Sequence, residues 1–166
     1  MTSQGSPHLS PADAAVAMRS WPRRYRAALA PIDDDQVAEL ALRLGPDGVS
    51  ALDLAADTVR TWTLLDRALH EIRFSDAPTL HPAVADSAAR NWDSPASETI
   101  ESIIEQIDDV AGSLADAIES MPADDWSRTA PVAGGGSIGA IDVAREAVLV
   151  GSDNLRAIER TIDAVR

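Results

Sequence analysis

The chain has 166 residues, 45% of them apolar, and its 27 acidic and 14 basic residues give a formal net charge of −13. This size and apolar content fit one globular domain with a buried core, and the negative charge argues against binding to nucleic acid or to anionic membranes. Cysteine and lysine are both absent, which excludes disulfides, thiolate ligands, a cysteine nucleophile and a catalytic lysine.

The first helix is predicted to follow a polar N-terminal lead, residues 1–9, which leaves 10–166 as the single domain. The lead shows no signal-peptide pattern, and no apolar run in the chain is long enough to span a bilayer, so we expect a cytoplasmic protein. Ser10 provides an N-cap before Pro11. Helical spacing then predicts a buried stripe across Pro22, which should kink the helix: Ala14, Met18, Trp21, Tyr25, Ala28 and Ile32.

Two further helices are indicated before the middle of the chain. Asp33–Asp35 could cap a short helix through Leu44, before a break at residues 45–48. Ser50 and Asp53 form a capping box that opens a long helix to about residue 74. Its apolar face is Ala51, Leu54, Ala55, Thr58, Trp62, Leu65, Leu69 and Ile72.

A proline-containing crossover, residues 75–93, leads to the third long helix, which Ser94 and Pro95 should open and Pro122 should end. Its apolar residues alternate at spacings of three and four, as in left-handed bundles. The glycines at 134–136 are predicted to form a flexible loop that closes with a Ser137 cap. No segment alternates like a strand, so a sheet is not expected.

The last helix, residues 137–166, has a continuous apolar stripe: Ile141, Ala144, Val148, Gly151, Leu155, Ile158, Ile162 and Val165. Asn154 lies at the edge of this stripe and should face a neighbouring helix, whereas Asp153 should face solvent. Four stripes of this kind close around one core. The sequence therefore predicts an all-α four-helix bundle whose long crossover makes one non-adjacent connection.

Three segments resemble the DinB-like family, which includes mycothiol-dependent maleylpyruvate isomerases: GVSALDLAADTVRTW (48–62), PADDWSR (122–128) and the run from Gly151 to Arg166. The resemblance implies a four-helix bundle that binds a divalent metal through one histidine on the second helix and two on the fourth. Asp57 stands at the helix-two position. Asp153 and Asn154 stand where the helix-four pair falls, with Leu149 and Val150 one turn earlier, so we expect no tightly bound transition metal and no cofactor.

Three functional interpretations follow, and the sequence does not establish whether the protein is an enzyme. The first is a metal-free bundle with an inter-helical pocket that binds a small molecule or catalyses a metal-independent reaction. The second is a divalent-metal-dependent thiol transferase or isomerase that uses oxygen ligands. The third is a dimeric interaction protein. The pocket candidates are Asp57, Asn154, Trp62, Val150, Gly151 and Asp153, and the degenerate metal positions are Asp57, Val150 and Asn154.

Two structural expectations accompany these interpretations. Buried polar groups need hydrogen-bond partners, so Asp57 and Asn154 are expected to bond each other. A homodimer is expected along helix faces, because apolar residues such as Trp92, Val143 and Leu149 lie outside the four stripes. His70 and His81 are interpreted as residues of a helix flank and a loop rather than as catalytic bases.

Overall fold

The computed structural model describes residues 8–90 and 98–166, and these residues are mostly helical. The described elements are α1 (Pro11–Leu29), α2 (Val37–Leu40), α3 (Ala51–Phe74), α4 (Ile100–Ser120), β1 (Thr129–Pro131), β2 (Ser137–Gly139) and α5 (Ala140–Val165), with 3-10 turns at Pro82–Val84, Ser87–Ala89 and Ala123–Ser127. The all-α class is thus confirmed, apart from one small sheet.

The predicted starts of α1 and α3 are confirmed by reciprocal caps. The Ser10 hydroxyl accepts from the Asp13 amide at 3.1 Å, and the Asp13 carboxylate accepts from the Ser10 amide at 3.3 Å. Ser50 and Asp53 repeat this pattern at 3.0 Å in both directions. Each capping box satisfies backbone donors that the first turn would otherwise leave unpaired.

Interhelical contacts show that α1 runs antiparallel to α4. Arg19, in the middle of α1, pairs with Asp116 and Glu119 late in α4, whereas Arg26, two turns later in α1, pairs with Asp108 earlier in α4. These ion pairs join exposed side chains, so their contribution to stability is small.

The two helices that follow each other across the crossover are parallel neighbours. Asp66 of α3 accepts a hydrogen bond from Ser113 of α4, and Arg73 of α3 donates one to Ser120 of α4. The second pair lies two turns after the first in both helices, so the helices run in the same direction. Parallel neighbours need a connection about as long as the helices themselves, which explains the length of the sequence between Phe74 and Ile100.

The last helix closes a ring in the order α1–α4–α3–α5. It runs antiparallel to α3. It runs parallel to α1, because Arg145 donates to the Leu9 carbonyl just before α1, and Gly151, later in α5, accepts from Tyr25, later in α1. The connections from α1 to α3 and from α4 to α5 therefore join helices that lie diagonally opposite each other in the ring. This differs from the expected single non-adjacent connection, because the long crossover joins neighbours.

The core at the centre of this ring is apolar and aromatic. Its largest fully buried side chains are Trp62, Tyr25, Met18, Leu29, Leu65, Leu69, Leu80, Ile103, Ile107, Leu114, Ile158 and Val84. Trp126 packs against one edge of it. Most positions of the predicted stripes lie in this cluster, so helical periodicity located the core correctly.

Four predictions about local structure were wrong. Helix α1 ends at Leu29, so Ile32 is fully exposed, and α2 stops at Leu40, which leaves Leu44 65% exposed. Residues 129–139 form an antiparallel hairpin rather than a flexible loop, and α5 begins after Gly139 instead of a Ser137 cap. Three-residue strands are too short to show alternation. Three glycines with positive φ, at 134–136, make this tight turn possible.

The hairpin also holds the crossover. Leu80 forms a parallel bridge with Val132, with backbone bonds of 2.9 Å from Leu80 N to the Pro131 carbonyl and from Ala133 N to the Leu80 carbonyl. The expected helix start at Ser94 and Pro95 lies outside the described residues, and α4 begins after a Thr99 cap. No helix in the described parts of the chain is both long and apolar enough to cross a bilayer.

Candidate functional site

Asp57 and Asn154 meet between α3 and α5, and we call this contact the polar link. The Asn154 amide nitrogen donates to Asp57 Oδ2 at 3.0 Å and to Thr58 Oγ1 at 2.8 Å. The Thr58 hydroxyl donates to the Leu54 carbonyl at 2.9 Å. Both hydrogens of the amide are therefore used, which confirms the expectation that these two side chains bond each other.

Tyr25 extends the polar link toward α1. Its hydroxyl donates to the Gly151 carbonyl at 2.8 Å and lies 3.4 Å from Thr58 Oγ1. Burial raises the pKa of this phenol well above its ordinary value, and the nearby Asp57 charge acts in the same direction, against the hydrogen bond with Thr58 and the Arg24 charge. Tyr25 thus stays a neutral hydrogen-bond donor at physiological pH.

Beneath the polar link, two tryptophans fill the space between the helices. Trp62 is fully buried and donates its indole N–H to the Ala147 carbonyl at 2.9 Å. A Cβ on Gly151 would lie 2.7 Å from the Trp21 ring and 2.9 Å from the Trp62 ring. Gly151 is therefore glycine because the two rings occupy the place of a side chain.

The remaining predicted site residues divide between core and surface. Val150 is buried, and Asp153 is exposed and turned away from the polar link. The prediction that Asn154 rather than Asp153 faces the neighbouring helix is confirmed by the bond to Asp57. Within residues 8–90 and 98–166, no three His, Asp or Glu side chains converge in a group able to hold a metal ion.

The structure brings together a second set of side chains, between the parallel helices α3 and α4. We call this cavity the α3–α4 groove. It has a volume of about 460 Å³ and is lined by Thr63, Asp66, Arg67, Leu69, His70, Arg73, Phe74, Ser113, Ala117, Ser120 and Met121. Its floor is apolar, since Leu69 and Met121 are buried, while its walls carry charged groups.

The walls of the α3–α4 groove are polar at one end and aromatic at the other. The Ser113 hydroxyl donates to Asp66 Oδ2 at 2.7 Å. At the opposite end, the rings of His70 and Phe74 are 4.7 Å apart, and the Arg73 guanidinium lies 4.6 Å from the Phe74 ring centre. This arrangement offers an aromatic surface beside hydrogen-bond donors, as ligand sites commonly do.

Sequence reasoning missed this groove, although two of its parts could have been found. Asp66, His70 and Arg73 recur at spacings of four and three on one flank of α3, which is the spacing of neighbours on a helix surface. The facing residues on α4 could not be chosen, because the parallel pairing of α3 and α4 was not predicted.

The apolar residues that suggested a homodimer have different environments. Val143 is fully buried inside the domain and gives no support for a dimer, Leu149 is half-buried, and Trp92 lies outside the described residues. The homodimer stays a prediction.

Comparisons of this chain with protein-family models, with characterised proteins and with solved structures found no match. The resemblance to the DinB-like family, which depends on three short segments, also stays a prediction.

Proposed function

We propose that this chain is a cytoplasmic, DinB-like four-helix bundle that binds a small organic molecule in the α3–α4 groove without a resident metal. The observation that carries the proposal is the groove itself. Its volume of about 460 Å³ lies in the range of small-molecule sites, and it combines a buried apolar floor with a few polar groups.

The polar link supports the proposal because the space around it is filled, whereas the α3–α4 groove is open. In the family that the sequence resembles, metal ligands would occupy the positions of Asp57 and Asn154. Here these two side chains bond each other, and the adjoining space is filled by Trp21 and Trp62. The polar link therefore acts as a connection between α3 and α5, and the room for a ligand lies on the other side of α3.

A titration followed by NMR tests the proposed site. The ¹⁵N-labelled protein is titrated with a fragment library that contains acids, bases and neutral compounds in equal numbers. We expect fragments to shift the amide resonances of groove residues such as His70, Ser113 and Ala117. Fragments that act only elsewhere on the protein, or a library without a single hit, would contradict the proposal.

A pair of variants controls this experiment. Ala117→Phe places a ring in the α3–α4 groove and should abolish fragment binding, whereas Ala27→Phe places the same ring on the exposed side of α1 and should not. Elemental analysis of dialysed protein tests the metal-free part. About one equivalent of zinc, nickel or iron per chain would show that this part is wrong.

A further inference from the structure

The charge inside the α3–α4 groove has the opposite sign to the charge of the whole chain. Two of its lining residues, Arg67 and Arg73, are cationic, and only Asp66 is acidic. The Asp66 carboxylate already accepts a hydrogen bond from Ser113. In a chain of net charge −13, a cavity with this lining favours an anion locally.

The arginines differ in how much of their bonding capacity is used. Arg73 donates to Ser120 Oγ at 3.3 Å and lies 4.0 Å from Asp125, while its guanidinium rests against Phe74. Arg67 forms no hydrogen bond or ion pair with any residue of 8–90 or 98–166, although its neighbour Asp66 is engaged. A planar guanidinium with open donors matches the geometry of a carboxylate.

The aromatic end of the groove adds a second requirement. Phe74 is 60% exposed, so part of its ring is accessible to a ligand, and the His70 ring lies beside it. Together with the floor of Leu69 and Met121, this surface suits a flat apolar body that stacks on a ring.

We propose that the ligand of the α3–α4 groove is a small organic carboxylate with a flat apolar body, bound through Arg67 and stacked against Phe74. This inference rests on the proposed function, because it concerns the same groove. It assigns Arg67 the recognition of charge and Phe74 the recognition of shape.

Three probes of nearly equal shape test the ligand class by NMR titration: phenylacetate, 2-phenylethanol and 2-phenylethylamine, which are anionic, neutral and cationic. We expect phenylacetate to bind about tenfold more tightly than the other two, which corresponds to one charge-assisted pair in a partly exposed site. Acetate alone should bind as weakly as the alcohol, because it lacks the apolar body.

Matched variants assign the interaction to its residue. Arg67→Gln should weaken phenylacetate binding roughly fivefold to tenfold and leave 2-phenylethanol unchanged. Arg23→Gln removes an exposed arginine of α1 that does not line the groove, and should change neither. Circular dichroism of both variants verifies that the fold is intact.

The outcomes separate the two proposals. If the alcohol or the amine binds the groove as tightly as phenylacetate, or if Arg67→Gln leaves phenylacetate binding unchanged, the ligand class is wrong and the proposed function stands. If none of the probes shifts groove resonances and the fragment library also yields no hit there, both proposals are wrong.

Discussion

Gly151 is a residue at which the backbone of α5 approaches both Trp21 and Trp62. Its missing side chain admits the edges of Trp21 and Trp62, and its carbonyl accepts the Tyr25 hydroxyl. A helix interior normally disfavours glycine by about 1 kcal/mol relative to alanine. The close packing of three aromatic rings offsets that cost here.

We therefore expect Gly151→Ala to destabilise the protein by about 1–2 kcal/mol, because overpacking against buried rings outweighs the gain in helix propensity. Gly112→Ala is the matched control. Gly112 lies in α4 with no atom within 4 Å of an added Cβ, so this change should stabilise the protein by roughly 0.5–1 kcal/mol. Urea unfolding measures both effects, and equal shifts of the two variants would contradict the packing argument.

Tyr25 links the stability of the protein to alkaline pH. It is the only tyrosine in a chain without lysine or cysteine, so no other type of side chain titrates between about pH 9 and pH 12. Burial raises its pKa in the folded state above the unfolded value. The stability that this shift provides is complete below about pH 10 and is lost as the pH rises above it.

The native chain and Tyr25→Phe should therefore differ in how steeply their free energy of unfolding changes with pH. Above about pH 10, the free energy of unfolding of the native chain should decrease by at most about 1.4 kcal/mol per pH unit, and that of Tyr25→Phe should be nearly constant. At neutral pH the variant should be less stable by about 1 kcal/mol, since a buried hydrogen bond is lost. Urea unfolding at a series of pH values makes the comparison. Parallel pH profiles of the two proteins would rule out a role for this phenol.

The interface between α3 and α5 shows how a polar side chain can be tolerated between apolar stripes. The half-buried Asp57 and Asn154 lie at its edge, where the amide donates to the carboxylate at 3.0 Å. One partner donates and the other accepts, so neither is left unpaired. The link is directional, because the donor lies on α5 and the acceptor on α3.

Asn154→Asp tests this directionality. The change replaces a donor by a carboxylate next to Asp57, so at pH 7 we expect a loss of about 1–3 kcal/mol from like-charge repulsion and an unpaired group. Asp153→Asn alters the adjacent, exposed position and should change stability by less than about 0.5 kcal/mol. Thermal unfolding at pH 7 compares them, and a harmless Asn154→Asp would mean that the polar link contributes no stability.

The elements differ in how far the sequence could predict them. Capping boxes at Ser10 and Ser50, the long apolar stripes and the inward position of Asn154 depend on local spacing, and all were predicted correctly. The hairpin at 129–139 and the end of α1 before Ile32 depend on tertiary contacts or on turns too short to leave a pattern. The α3–α4 groove depends on helix direction, which local periodicity does not encode.

At the scale of the whole molecule, the ring α1–α4–α3–α5 contains no pair of consecutive long helices that pack antiparallel. Side-chain hydrogen bonds between neighbouring helices of the ring join residues at least 47 positions apart, and the bond from Tyr25 of α1 to Gly151 of α5 joins residues 126 apart. Every interface of the ring must therefore be formed by distant parts of the chain. Up-and-down bundles, by contrast, fold through local helical hairpins.

This order of helices has a consequence for synthesis. When α1 and α3 have left the ribosome, α4 and α5, the helices that they pack against along most of their length, have not yet been made. A fragment of residues 1–90 should therefore lack cooperative unfolding, whereas the full chain should unfold in one transition. Circular dichroism during urea unfolding distinguishes these results, and a cooperatively folded fragment would contradict the argument. On this prediction, residues 1–90 acquire their native packing only after α4 and α5 have been made.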